Sequence, residues 1–226
     1  MKREEVRSRI KDIGIVPAIR VDSENHALFA AEAVYQGGIP IVEISLTVPG
    51  ATEVIARLVR QNPQLLVGAG SVLNGEMAQT AVDAGAQFLT SDGLHLTLIE
   101  FASRNEVVVF PGALTPTEVV TAWESGCDFV KVVPCAHIGG EGYVRSLHKM
   151  FPRIPLIAAG GVTQHTAPEY ILAGAVALGI GGELTPSSAI QRGQPDRIRE
   201  LARRFAGLVK SAREGKPPQR EGSYIG

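Results

Sequence analysis

Eight short apolar runs recur along the chain, separated by alanine-rich stretches, and this recurrence restricts the fold more than any other feature. Each run has the length of a strand, and the stretches between them suit helices. Eight β-then-α units at a spacing of roughly 20–27 residues fit a closed eightfold barrel. The runs are Val16–Arg20, Pro40–Ser45, Leu65–Ala69, Phe88–Ser91, Val107–Phe110, Phe129–Val133, Pro155–Ala158 and Val176–Ile180.

A doubly wound open sheet uses the same alternation but has no need for eight equal units. We therefore predict an α/β fold, a (β/α)8 TIM barrel with an extra N-terminal helix over residues 2–12 that Gly14 stops. We expect a single barrel domain over residues 1–213 and a flexible tail over 214–226. Helices are expected at 25–36, 50–61, 75–84, 95–104 and about 195–212.

Composition excludes several classes of protein. The chain is 45% hydrophobic and 20% charged with a net charge of −1, which argues against nucleic acid or an anionic membrane as a partner. Cys127 and Cys135 form neither a disulfide framework nor a metal-ligand pattern. No leader opens the sequence and no apolar run is long enough to span a bilayer, so we expect a soluble, cytoplasmic protein.

Lys131 lies in the middle of an apolar, β-branched strand between Gly126 and Pro134. Lysine is rarely fully buried, because stripping water from an ammonium group is costly. A buried lysine escapes this cost by losing its proton, and the neutral amine is a nucleophile. The alternative is a lysine whose stem packs in the core while its head reaches water.

In a barrel of this kind, the chemistry lies at the C-terminal ends of the strands and in the loops that follow, here called the mouth. Glu43 is a lone carboxylate in an otherwise apolar strand. If it faces Lys131, the two form an amine–carboxyl couple suited to proton transfer, the alternative being a structural ion pair. The polar residues expected at the mouth are Arg20, Glu43, Ser71, Ser91, Asp92, Thr115 and Lys131.

Two glycine-rich turns follow the seventh and eighth runs. Exposed backbone N–H groups at such turns can hold phosphate, so Gly160, Gly161, Gly181 and Gly182 are candidate phosphate ligands. The alternative is a pair of tight turns that need positive φ, and the negative charge of Glu183 argues against the anion site.

The segment Thr115-Pro116-Thr117-Glu118 has the pattern of a capping box, with Thr115 as N-cap and Glu118 three residues later. This pattern gives Glu118 a structural role.

Five motifs in strand order resemble those of the 2-keto-3-deoxy-6-phosphogluconate (KDPG) and 4-hydroxy-2-oxoglutarate (KHG) aldolases, from the first helix to about residue 210. The resemblance implies a metal-independent, cofactor-free Schiff-base aldolase on an eightfold barrel, usually a homotrimer. The motifs are Val42-Glu43-Ile44-Ser45, Val67-Gly68-Ala69-Gly70-Ser71-Val72, Phe110-Pro111-Gly112 with Thr115-Pro116-Thr117-Glu118, Phe129-Val130-Lys131-Val132-Val133-Pro134 and Gly160-Gly161-Val162.

By this resemblance, Lys131 is the imine-forming lysine and Glu43 the proton-shuttling glutamate, while Ser71 helps to hold the pyruvate carboxylate. The chain departs from the family pattern at four positions near the pocket. Thr47 replaces an arginine that grips the substrate carboxylate, a role that Arg20 could take over. The other departures are Asp92 for proline, Ala159 for threonine and Glu183 for serine.

We therefore predict a lyase that releases pyruvate from a 2-keto-3-deoxy-4-hydroxy acid, and leave open whether that acid carries phosphate. The competing interpretations are a phosphosugar-binding barrel enzyme that forms no imine, and a barrel that binds a sugar acid or a protein without catalysis. The expected substrate contacts are Arg20, Thr47, Ser71, Asp92 and Thr115.

Overall fold

A computed structural model describes residues 1–215 of the chain. The helices are α1 Arg3–Ile13, α2 Glu24–Gln36, α3 Ala51–Gln61, α4 Gly75–Asp83, α5 Leu96–Arg104, α6 Pro116–Glu124, α7 Gly140–Met150, α8 Ala167–Leu172, α9 Ser187–Gln191 and α10 Pro195–Arg213. The strands are β1 Ile15–Ile19, β2 Ile41–Ser45, β3 Leu66–Gly70, β4 Phe88–Thr90, β5 Val108–Phe110, β6 Gly112–Ala113, β7 Val130–Val132, β8 Leu156–Ala159 and β9 Ala175–Ile180.

The nine strands form one parallel sheet in the order β5-β4-β3-β2-β1-β9-β8-β7-β6. The two outermost strands, β5 and β6, follow each other in the chain and are separated only by Pro111. The carbonyls of Val109 and Pro111 accept hydrogen bonds from the N–H groups of Asp128 (3.0 Å) and Lys131 (2.9 Å), which brings the two edges of the sheet together. The predicted (β/α)8 barrel is confirmed, with β5 and β6 sharing its fifth strand position.

The extra N-terminal helix, α1, is also confirmed, and it packs against β1, β5 and β9. Val6 and Ile10 on its inner face are buried. Gly14 ends the helix in the left-handed conformation (φ 71°), and its N–H donates to the carbonyl of Ile10. A residue with a Cβ is strained at that φ, which is why glycine stops the helix here.

Asp128, just before β7, joins α1 to the barrel. Its buried carboxylate accepts hydrogen bonds from Arg3 Nε (3.0 Å) and Nη2 (2.9 Å) and from the backbone N–H of Val109 (2.9 Å). Arg7 Nε lies 3.3 Å from the same carboxylate. One side chain therefore ties α1, β5 and the start of β7 together at the end of the barrel opposite the mouth.

Only the first two residues of the predicted tail, Glu214 and Gly215, are described, and residues 216–226 lie outside the described part of the chain. Across residues 1–215, no helix combines the length and the apolar character that crossing a membrane requires.

The Asp128→Ala variant should lose about 2–4 kcal/mol of unfolding free energy, because it leaves the Val109 N–H and the two arginines without their shared acceptor. Urea denaturation followed by circular dichroism measures the loss. The matched control is Asp83→Ala, which removes an exposed carboxylate from the end of α4 and should change the free energy by less than about 0.5 kcal/mol. Equal stability of the two variants would contradict the role assigned to Asp128.

Candidate active site

Lys131 lies at the centre of β7, between β6 and β8, where it pairs with Gly112 and Ile157. Only 4% of the residue is exposed, so the interpretation in which its head reaches water is wrong. Its Nζ atom lies 2.8 Å from Asp92 Oδ1 and 3.4 Å from Thr90 Oγ1. The buried amine thus faces one carboxylate and one hydroxyl, both from the end of β4.

Three buried aromatic rings lie on the inner side of the strands that carry these groups. The rings of Phe88 and Phe110 stack with their centroids 5.4 Å apart, and Phe129 meets Phe110 edge-on at 5.9 Å. Strand alternation puts Phe88 on the same face of β4 as Thr90, and Phe129 on the same face as Lys131. The amine and these rings therefore lie on the same, inner face of the barrel, where a charge is poorly solvated.

Asp92 connects the amine to the mouth. Its second oxygen, Oδ2, accepts a hydrogen bond from Arg20 Nη2 at 3.0 Å, so one carboxylate bridges two cations. Burial opposes ionisation of the carboxyl group, but the charges and hydrogen bonds of Lys131 and Arg20 outweigh it, so the pKa of Asp92 lies below its usual range. Asp92 is therefore an anion at neutral pH.

The loop that carries Asp92 is held in place by two local contacts. Ser91 Oγ donates to the carbonyl of Gly93 at 2.7 Å, which closes the turn. A Cβ atom at Gly112 would lie 2.4 Å from the carbonyl carbon of Asp92, so only glycine allows the loop to approach β6 this closely.

A chain of hydroxyl groups continues from Arg20 across the mouth. Arg20 Nη2 donates a hydrogen bond to Ser71 Oγ (2.9 Å). Ser71 Oγ is hydrogen-bonded to Ser45 Oγ (2.9 Å), which in turn is hydrogen-bonded to Thr47 Oγ1 (2.8 Å). Ser71 has a φ of 59°, which is uncommon for a residue with a side chain and typical of functional sites. Three of the predicted substrate contacts, Arg20, Thr47 and Ser71, thus form one connected surface.

Glu43 is also buried on β2, but its carboxylate turns toward the neighbouring strand β3. A Cβ atom at Gly70 would lie 2.1 Å from Glu43 Oε1, so the glycine makes room for the carboxylate. Within residues 1–215, this carboxylate makes no hydrogen bond or ion pair with a protein group. The expected couple between Glu43 and Lys131 is therefore absent, since the carboxylate in contact with the amine is that of Asp92.

A cavity of about 390 Å³ opens beside Arg20 and Thr47. It continues the surface formed by the hydroxyl chain, and six of its eight lining residues have polar side chains. Its other lining residues are Val21, Asp22, His26, Ser187, Ile190 and Gln191.

The two glycine turns differ from each other. Gly160 and Gly161 have φ values of 83° and 88°, which fits the tight-turn interpretation, whereas Gly181 and Gly182 do not have positive φ. Among the described residues, the N–H groups of Gly161, Gly182 and Glu183 have no hydrogen-bond acceptor. These N–H groups are free to bind an anion, although the exposed side chain of Glu183 places a negative charge beside them.

Thr115 does not join the groups around the amine. Its hydroxyl accepts from the N–H of Glu118 while the Glu118 carboxylate accepts from the N–H groups of Thr115 and Leu114, which confirms the capping box. The hydroxyl of Thr115 is therefore occupied in starting α6.

Thr90 and Ser45 belong to the network but are missing from the predicted substrate contacts. Both end a strand, and Thr90 lies two residues before Asp92, on the face that alternation assigns to the barrel interior. A period of two would have found both residues, since Thr90 lies two residues before Asp92 and Ser45 two residues after Glu43.

A family model for KDPG and KHG aldolases matches residues 6–201. The KHG/KDPG aldolase of Escherichia coli K12 is 32% identical over 190 residues, which span 84% of this chain and 89% of that protein. The 2-dehydro-3-deoxy-phosphogluconate aldolase of Zymomonas mobilis is 30% identical over 200 residues, which span 88% of this chain and 93% of that protein.

A solved structure of the KDPG aldolase from Legionella pneumophila is similar throughout, with a TM-score of 0.82 and 27% identity over 88% of this chain and 96% of that chain. In that structure, pyruvate was captured at low pH as a covalent carbinolamine intermediate.

Proposed function

This chain belongs to the KDPG and KHG aldolase family, and we propose that it is a class I aldolase that cleaves a 2-keto-3-deoxy-4-hydroxy acid to pyruvate and an aldehyde. The observation that carries the proposal is the burial of Lys131 on the inner face of the barrel, with its amine beside Asp92 and Thr90. An amine in such a place is a nucleophile once it loses a proton, and a ketone is the electrophile it converts into an imine.

In the proposed mechanism, Lys131 attacks the C2 ketone and the resulting iminium withdraws electrons from the C3–C4 bond. Glu43 accepts the proton of the C4 hydroxyl as that bond breaks, and later returns a proton to C3 of the enamine. Hydrolysis of the imine then releases pyruvate. The absence of protein partners around the Glu43 carboxylate in the described structure supports this role, because its oxygens are available to a substrate.

We assign the substrate carboxylate to Arg20 and the hydroxyl chain. Arg20 shares the Asp92 carboxylate with the amine, and its Nη2 also donates a hydrogen bond to Ser71. Thr47, at the other end of the hydroxyl chain, supplies a further donor. A guanidinium with neighbouring hydroxyls is a common way to hold a carboxylate.

For the far end of the substrate, two chemistries are supported by different observations. The free N–H groups of Gly161 and Gly182 favour a phosphate, with glyceraldehyde 3-phosphate as the aldehyde product. The charge of Glu183 favours an acid without phosphate, either an unphosphorylated sugar acid or 4-hydroxy-2-oxoglutarate, which would give glyoxylate.

Borohydride reduction in the presence of pyruvate should add a reduced pyruvyl group to Lys131, because the reagent traps the imine. Peptide mass mapping locates the adduct. The Lys131→Met variant should form no adduct and lose at least about a thousandfold in aldol cleavage, as expected for a covalent nucleophile. An adduct-free peptide in the active wild-type enzyme, or unchanged activity of Lys131→Met, would support a barrel enzyme that forms no imine.

The Glu183→Gln variant should raise kcat/KM for the phosphorylated acid about fivefold relative to its unphosphorylated form, which corresponds to removing ~1 kcal/mol of repulsion. Measuring both substrates and 4-hydroxy-2-oxoglutarate with wild type and variant gives the ratio. Glu124→Gln, at an exposed carboxylate on α6, is the control. An unchanged ratio would place the far end of the substrate away from this turn.

We further propose a homotrimer that acts in the cytoplasm. Two leucines at the mouth end, Leu73 and Leu96, are 51% and 52% exposed, and they lie before α4 and at the start of α5, which pack together. Exposed apolar side chains of this kind are typical of subunit interfaces. Both cysteines are free and buried, as is common in a reducing compartment, and cell fractionation tests the location.

Light scattering should give a mass about three times the 24.0 kDa of the chain, and Leu96→Glu should lower it by burying a charge in the interface. Leu172→Glu is the matched control, since Leu172 is 55% exposed but lies at the opposite end of the barrel. A monomeric wild-type enzyme would overturn the trimer.

A further inference from the structure

Asp92 contacts the nitrogen that reacts in the proposed mechanism, but no step of that mechanism uses its carboxylate. Its Oδ1 lies 2.8 Å from Lys131 Nζ, within the range that direct proton transfer requires. Glu43 makes no hydrogen bond or ion pair with that nitrogen within residues 1–215. The carboxylates of Asp92 and Glu43 are therefore positioned to exchange protons with different atoms.

We propose that Asp92 is a second acid–base catalyst, which moves the protons at nitrogen during imine formation and hydrolysis while Glu43 moves those at C3 and at the C4 hydroxyl. This inference rests on the proposed imine mechanism. It divides between two carboxylates the proton transfers that a single one would otherwise perform.

The proton transfers balance with Asp92 as the only acid–base group. Asp92 takes a proton from the Lys131 ammonium, and the neutral amine forms a C–N bond to C2 while the carbonyl π electrons move to oxygen. Asp92 then gives its proton to that oxygen and takes one from the nitrogen, which leaves a neutral carbinolamine and a protonated Asp92. Asp92 returns its proton to the hydroxyl group, the C–O bond breaks, water leaves, and the nitrogen lone pair forms the iminium. Asp92 ends as a carboxylate beside a cation, as it began.

Arg20 supplies the trigger for the first proton transfer. In the described structure, Asp92 is stabilised as an anion by both Lys131 and Arg20. An incoming substrate carboxylate competes for the guanidinium of Arg20, whose side chain is 60% exposed and within reach of solvent. Once Arg20 turns to the substrate, Asp92 keeps a single cationic partner and becomes more basic toward the proton of Lys131.

The surroundings of Asp92 suit a group that gains and loses a proton. Its side chain is 49% exposed, so water can enter and leave beside it, whereas the Lys131 side chain is only 6% exposed. Gly112 and the Ser91–Gly93 hydrogen bond fix the backbone of the loop, so the carboxylate is positioned without help from the substrate. A preorganised group of this kind is what acid–base catalysis requires.

Two isotope exchanges of pyruvate separate the tasks of the two carboxylates. Loss of ¹⁸O from the C2 carbonyl, corrected for the enzyme-free rate, requires imine formation but no C3 proton transfer. Deuterium uptake at C3 requires both. The Asp92→Asn variant should slow oxygen exchange at least about a hundredfold, the usual effect of removing an acid–base group. The Glu43→Gln variant should slow C3 exchange by a larger factor than oxygen exchange.

Chemical rescue distinguishes catalysis from support of the loop. Formate should restore oxygen exchange to Asp92→Ala at least about tenfold, because it supplies a carboxylate beside the nitrogen, and should leave wild type unchanged. Thermal melts of both Asp92 variants confirm that they are folded. Oxygen exchange at the wild-type rate in Asp92→Asn, or slowed exchange without any rescue by formate, would overturn the role of Asp92. If the wild-type enzyme shows neither exchange nor borohydride trapping, the proposed aldolase mechanism itself fails.

Discussion

A buried ammonium group in the middle of β7 is the constraint on which the rest of the mouth depends. Lys131 shares the inner face of the barrel with aromatic rings, which cannot solvate a charge, and its only ionic partner among the described residues is Asp92. The other oxygen of Asp92 accepts a hydrogen bond from a second cation, Arg20. The order of the hydroxyl groups beyond Arg20 follows from this pairing, because Ser71 bonds the same guanidinium nitrogen.

Small residues make this concentration of polar groups possible inside a barrel. Gly70 leaves the volume that the Glu43 carboxylate occupies, and Gly112 leaves the volume that the backbone of Asp92 occupies. Gly70 is on β3, next to the strand that carries Glu43, and Gly112 is on β6, which faces the loop that carries Asp92. A methyl group at either position would have to displace a carboxylate or a loop of the site. These glycines therefore affect the chemistry only by leaving room for other groups.

Stability and chemistry lie at opposite ends of the strands. At the end opposite the mouth, the buried carboxylate of Asp128 is partnered by two arginines and a backbone N–H, all of them groups of the protein itself. At the mouth, Asp92 is half exposed and shares its cations with the space that a substrate would enter. An aspartate thus holds a helix in place at one end of the barrel and can exchange its cationic partners at the other. The difference between the two is access to solvent.

The sequence by itself determined the eight strand positions, the N-terminal helix and the place of Lys131 in an apolar strand, because apolar runs are local properties of the chain. The predicted runs agree with the strands to within a residue or two, apart from the break at Pro111 and the second segment, β6. Glu43, Ser71 and Arg20 were also identifiable, since a polar residue within an apolar strand or just after it is visible without a structure.

Only the tertiary structure decided which carboxylate meets the amine. Asp92 and Lys131 are 39 residues apart, and their strands, β4 and β7, are separated by the position that β5 and β6 share. Contact between them depends on the curvature of the closed sheet and on side-chain direction, neither of which a linear pattern encodes. The direction of the Glu43 side chain, toward Gly70, could not be predicted either, because it depends on the absence of a side chain at a residue of the neighbouring strand.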